Sequence, residues 1–136
     1  MIDRYSRPEM AKIWDINSKF EYYLRVELAV CDAYAKLGFF PEEEIKKVHK
    51  KAKFSVERID KIEAEVHHDV IAFLTNVNES LGEGLAKYMH VGMTSSDVID
   101  TAFALQIQDS SEIIRDDFDT LLETVRMMAQ KYKYTV

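Results

Sequence analysis

The chain has 136 residues, 47% of them hydrophobic, and a formal net charge of −6 from 18 basic and 24 acidic side chains; that suits one ordinary domain and is too apolar for a disordered chain. An acidic balance argues against nucleic acid as a partner, and the charged start MIDRYSRPEM and the lack of any apolar run near the roughly 20 residues of a membrane span argue against a signal peptide and a membrane helix. One cysteine excludes an internal disulfide framework and fits a reducing, cytoplasmic setting, while four glycines and two prolines supply too few turns for a β-sandwich and point to an all-α chain of long helices.

Ser6 and Pro8 mark the start of a short helix, with Pro8 in the first turn, where a missing N–H costs nothing, and Met10, Ile13 and Trp14 on one face. Asp15 is the expected N-cap of a longer helix that runs to Leu37 and stops at Gly38. Its apolar rows, Ile16, Phe20, Leu24, Leu28 and Cys31, then Val26, Val30, Ala33 and Leu37, predict burial over much of its surface. Pro41 and Glu42–Glu44 open the next helix, and Lys46, Lys47, Lys50, Lys51 and Lys53 follow toward its end, an order that suits the macrodipole. This charge run reads as a solvated face or as a docking patch. Ser55 caps a helix with Val56, Ile59, Ile62 and Val66 in one row, interrupted at His67, His68 and Asp69. A further helix carries Val70, Ile71, Phe73, Leu74 and Val77 to Leu81. Glycines at 82, 84 and 92 make the stretch to Met93 a loop, with a short turn over Leu85–Met89.

From Thr94 to Lys131 no glycine or proline occurs, and Ile114, Phe118, Leu121, Val125, Met128 and Tyr132 are spaced as a heptad seam, widened by Ile113, Leu122 and Ala129. No earlier helix is long enough to cover that seam, so its partners are expected in further sequence or in other subunits. The uncapped ending Lys131–Val136 reads as a chain interrupted within a longer protein.

The four histidines lack the spacing of a metal site: His67 and His68 are adjacent, and His49 sits among lysines. His68 beside Asp69 suits acid–base or anion-binding work, since a carboxylate can fix an imidazole tautomer; the plainer reading is a helix junction capped by Asp69. Gly92-Met93-Thr94-Ser95-Ser96-Asp97 places hydroxyls and free N–H groups at the start of the longest helix, a setting for a carboxylate or phosphate, or a capping box from Thr94 to Asp97, or both. Arg4 and Tyr5 could hold a phosphate and stack on a ring.

Three segments, RYSRPEM (Arg4–Met10), HHDVIAF (His67–Phe73) and HVGMTSSDVIDTA (His90–Ala102), together resemble the N-terminal portion of the adenylosuccinate lyase family, within the fumarase/aspartase superfamily. The resemblance implies β-elimination of fumarate from adenylosuccinate, giving AMP, and from the succinylated aminoimidazole carboxamide ribotide SAICAR, giving AICAR. It implies no metal and no organic cofactor, and a homotetramer built on long bundle helices with each active site shared by three subunits. Residues 1–109 would be the small N-terminal helical domain and 110–136 the opening of the bundle. Arg4 and Tyr5 would contact the phosphate and ribose side, and His67, His68 and Asp69 would line the site, with His68 the catalytic imidazole. Thr94 and Ser95 would bind a succinyl carboxylate, and His90 would lie near the phosphate. The general acid, a histidine of a Thr-His-Gly motif, and the base, a serine of a mobile loop, do not occur in these residues, so the chain alone is expected to be inactive. Two positions depart from the family pattern. His67 stands where Arg, Lys or Asn is usual, and His90-Val91-Gly92-Met93 replaces a usual His-Tyr-Gly-Leu. The alternatives are a sibling lyase of the superfamily and a non-catalytic helical module that oligomerises through the seam.

Overall fold

The computed structural model describes residues 2–135; the expectations that fall on Met1 and Val136 lie outside the described residues. A 3₁₀ turn over Asp3–Tyr5 precedes helices α1 (Pro8–Ile13), α2 (Ile16–Lys36), α3 (Glu42–Lys51), α4 (Val56–Val66), α5 (Asp69–Leu81), α6 (Glu83–Ala86) and α7 (Ser95–Lys131), and no strand occurs among the described residues. The fold is all-α.

Local chemistry sets most of the boundaries. Asp15 accepts the Ser18 N–H at 2.7 Å and starts α2, and Gly38 at φ +78° turns the chain away after Leu37. Ser55 accepts from the Arg58 N–H and starts α4. On α3 the lysines pair along their own helix, Lys46 with Glu43 at 2.8 Å and Lys47 with Glu44 at 2.7 Å, while Ile45 and Val48 are buried. That pairing suits a solvated face.

The core lies between α2, α4 and α5. Phe20 stacks on Phe73 with ring centroids 5.7 Å apart and planes 2° apart, and Tyr23 and Phe54 meet that pair at steeper angles. The N-terminal half of α7 packs on α2 and α1 through Val98, Ala102, Gln106 and Ser110, one buried side chain every four residues. Polar bonds fix its register: Tyr22 donates to Asp109 at 2.6 Å, Gln106 Nε2 to the Ile13 carbonyl at 2.9 Å, and Trp14 Nε1 to Ser110 Oγ at 3.0 Å. Beyond Ser110 no described side chain of α7 is buried, and Phe118 at 66%, Leu121 at 56% and Val125 at 54% stand open along the predicted seam. At 37 residues α7 is about 55 Å long, and its second half leaves the globule.

Three expectations need correction, and one is extended. The N-cap of α5 is His68, whose ring accepts the Ile71 N–H, and Asp69 is the first helical residue. The turn over Leu85–Met89 is present, with the Tyr88 and Met89 N–H groups donating to the Leu85 and Ala86 carbonyls at 3.1 Å, and it is preceded by the short helix α6, which Gly82 at φ +75° starts at once. Ile16 at the start of α2 and Leu37 just past its end are exposed because they stand at the margins of the packed surface, and Ala33 is exposed because it falls on the side of α2 away from the buried row Phe20, Glu27 and Cys31. The N-cap of α1 is Arg7; the Ser6 hydroxyl donates back to the Ile2 carbonyl instead.

Candidate active site

Two helix N-termini converge at the end of the globule. The α4–α5 turn needs a residue in the left-handed region, and His67 takes it at φ +53°, which throws the next residue, His68, over the start of α5. His68 Nδ1 accepts the Ile71 N–H at 3.4 Å. A nitrogen that accepts carries no proton, so in the neutral ring the proton sits on Nε2. Nε2 lies 3.4 Å from Ser95 Oγ, in the first turn of α7. Asp97 Oδ2 accepts the Thr94 N–H at 2.8 Å and fixes the α7 N-terminus, leaving the Ser95 hydroxyl free to face His68. The positive ends of α5 and α7, the Nε2–H of His68 and the Ser95 hydroxyl thus meet at one point, an arrangement that attracts a carboxylate.

Asp69 is held from several sides. Its Oδ1 accepts the Val70 N–H at 2.8 Å, and Lys19 Nζ reaches Oδ2 at 3.4 Å. Its Oδ1 is 3.9 Å from His68 Nδ1, too far for a hydrogen bond. Tyr23 is buried beside it, and that burial, with the nearby Asp69 charge, pushes the Tyr23 phenol up to about 12. A cleft of about 430 Å³ opens beside Asp69, walled by Lys19, Trp14, Ile99 and Phe103 among others.

His90 stands at φ +59° on the loop before α7, with its Nδ1 2.7 Å from Glu27 Oε1 and its backbone N–H donating to Glu27 Oε2 at 2.9 Å. His67 shares a shallow surface depression with Asp60, Glu63 and Ala64 of α4. Arg4 and Tyr5 stack on each other, 4.8 Å from guanidinium carbon to ring centroid. They lie far from Ser95. Ile13 and Trp14 meet α7 at Gln106 and Ser110, and Arg7 pairs with Asp117, so the chain before α1 runs away from Ser95. From Ser95 to Asp117 is 22 residues, about 33 Å along the helix. Within one chain, then, His68, Asp69, Thr94 and Ser95 come together, and Arg4 and Tyr5 do not join them. Among the described residues no cluster of three His, Cys, Asp or Glu side chains could hold a metal ion, and no helix is long and apolar enough to cross a membrane.

The model of a family described as "Lyase" matches residues 3–136. The chain belongs to this lyase family.

Its similarity to curated relatives runs over the whole chain: it is 50% identical to the adenylosuccinate lyase of Synechocystis sp., 44% to that of Staphylococcus saprophyticus and 42% to that of Bacillus subtilis. The chain spans 31% of the length of each. A crystal structure of fumarate lyase from Mesorhizobium sp. BNC1 superimposes with a TM-score of 0.82 at 25% identity, over 93% of this chain and 31% of that one. The lyase chain also holds residues near its site that no motif marks. Glu27 lies within the apolar stripe of α2, where a lone Glu gives no signal of the loop it holds 63 residues later. Lys19 belongs to the same helix and reads as solvent-facing until Asp69 is seen beside it.

Proposed function

We propose that this chain forms part of an adenylosuccinate lyase, which releases fumarate from adenylosuccinate to give AMP and from SAICAR to give AICAR. The observation that carries the reading is the meeting of His68 Nε2 and Ser95 Oγ between two helix N-termini, in a chain matched over its full length by adenylosuccinate lyases. In this elimination a base takes the proton next to a succinyl carboxylate, the electron pair delocalises into that carboxylate, and the C–N bond then breaks as an acid protonates the leaving nitrogen. Negative charge grows on the carboxylate before the bond breaks. Donors fixed in advance at that position stabilise the transition state more than the ground state. Thr94, Ser95 and the α7 N-terminus serve as that anion cradle, and His68 offers Nε2–H to the same group. Asp69, tied to Lys19 and the backbone, keeps the start of α5 in place. The acid and the base come from segments beyond these residues.

The assembly is a cytoplasmic homotetramer that uses no metal or organic cofactor and binds neither nucleic acid nor membrane. Residues 1–109 form its small N-terminal helical domain and residues 110–136 begin the bundle. The half-exposed seam from Ile114 to Tyr132 supports that assembly, since it is apolar and nothing among the described residues covers it. The separation of Arg4 and Tyr5 from Ser95 supports a shared site, in which these two serve the phosphate and ribose side of a neighbouring subunit's pocket. His90 lies toward the phosphate. His67, which shares a surface depression with α4, borders the site without reaching its centre.

A chimera tests the reading. These residues replace the matching third of the Bacillus subtilis relative, and fumarate is measured with adenylosuccinate, SAICAR, argininosuccinate and aspartate as substrates. Release from the first two alone supports the proposal, release from another indicates a sibling lyase, and a folded chimera active on none contradicts it and favours the oligomerising module. The 136-residue chain by itself is expected to release no fumarate.

A further inference from the structure

Successive turns on one face of α2 grip the loop that leads into α7. Cys31 Sγ donates to the Tyr88 carbonyl at 3.3 Å, Glu27 takes both donors of His90, and the Tyr34 hydroxyl closes on Gly92, 2.7 Å from where a Cβ would stand. Of these contacts the one at Glu27 is physically expensive. Its side chain is wholly buried, at 0% exposure, and a buried carboxylate is tolerated only when its oxygens are bonded. Both oxygens are spent on a single residue, Oε1 on the His90 ring and Oε2 on the His90 N–H. An apolar side chain would fill the position without burying a charge. What the carboxylate adds is control of His90, in a left-handed conformation that residues other than glycine seldom adopt.

We infer that Glu27 is a positioning residue for His90: it accepts the Nδ1–H, locks the ring, and leaves the unprotonated Nε2 as an acceptor presented to a donor group of the bound ligand, such as the O–H of a protonated phosphate. The inference rests on the reading of His90 as a residue of the lyase site. A carboxylate against Nδ1 requires the proton there, and it fixes the tautomer as a buried carboxylate does for a catalytic or metal-bound histidine. His68 is set the opposite way, with Nδ1 accepting from Ile71 and Nε2 protonated. The two imidazoles therefore present different faces: His68 a donor, and neutral His90 an acceptor.

The test is a long-range ¹H–¹⁵N correlation spectrum of the imidazoles in the ¹⁵N-labelled chain at a pH where both rings are neutral, with assignments from His68→Gln and His90→Gln. The expected result is protonated Nδ1 and bare Nε2 for His90, and the reverse for His68. In Glu27→Leu the His90 pattern should move to protonated Nε2 while His68 is unchanged. A wild-type His90 with its proton on Nε2 overturns the inference whether or not any variant folds, and so does a folded Glu27→Leu with an unmoved His90. In the chimera, Glu27→Leu should lower kcat/KM by about 10–100-fold, with part recovered in Glu27→Gln. An active wild-type chimera that Glu27→Leu leaves unchanged counts against Glu27 alone, whereas an inactive but folded wild-type chimera counts against the lyase reading and leaves the spectrum to decide Glu27.

Discussion

Gly92 and His68 carry the sharpest predictions at the scale of single residues. Gly92 sits at φ +70°, and an added Cβ would stand 2.7 Å from the Tyr34 hydroxyl. Gly92→Ala combines backbone strain with a clash and should cost about 1–3 kcal/mol in chemical denaturation. Adding Tyr34→Phe should recover only the part due to the clash, since the backbone strain remains. His68 has one observed job and one proposed job, which a single substitution separates. As the cap of α5 it accepts the Ile71 N–H, a task asparagine performs as well, so His68→Asn should leave stability within about 0.5 kcal/mol. As the proposed donor to substrate it is not matched by asparagine, whose shorter amide does not reach the position of Nε2, so the same change in the chimera should lower turnover by about 100-fold. The residues of this site that could be read in advance, His68, Thr94 and Ser95, are those whose chemistry is local: a histidine beside a turn, hydroxyls at a helix start. Glu27 and Tyr34 were not legible, because their meaning lies in a loop that comes beside α2 only through the fold.

At the scale of elements, α7 is two helices in one. Its first half is anchored by Val98, Ala102, Gln106 and Ser110, and its second half meets the globule chiefly through Arg7 and Asp117. Amide exchange in the dilute chain should be slow over residues 98–110 and fast over 112–131, because a helix without packing frays readily. Leu121→Asp together with Val125→Asp should reduce self-association in sedimentation velocity while leaving the protection of residues 98–110 intact. The helices themselves were legible in their caps: Asp15, Gly38, Ser55 and Thr94 act within three or four residues of their own position. The exposed Ile16 and Leu37 were not, since exposure there depends on where the packed surface of α2 ends. The same periodicity that marked α7 as apolar on one face also marked it as uncovered, because length alone left no partner for it.

For the molecule as a whole, α2 is the spine: it carries the aromatic core, grips the loop at His90 and is tied to α7 by the bond from Tyr22 to Asp109. Burial first, then the bond to Asp109, pushes the Tyr22 phenol up to about 12, and burial first, then Asp69, does the same for Tyr23. Both groups hold their protons more tightly folded than unfolded, so the stability they lend is complete below pH 10.0 and lost as the pH climbs toward about 12. Cys31, pushed from 9.0 up to about 11 by burial and by Glu27, acts in the same direction. Denaturation followed from pH 8 to 12 should therefore show falling stability above about pH 9, with late tyrosinate absorbance that coincides with unfolding. None of this requires the proposed lyase chemistry, which the proposal places at the junction of α5 and α7. The initial rate of fumarate release from adenylosuccinate by the chimera, with His68 intact and with His68→Asn, addresses that junction directly. A measurable rate that falls by about 100-fold in a variant of unchanged fold is the predicted result. An active chimera indifferent to His68→Asn, or a folded chimera with no rate above background, would contradict it.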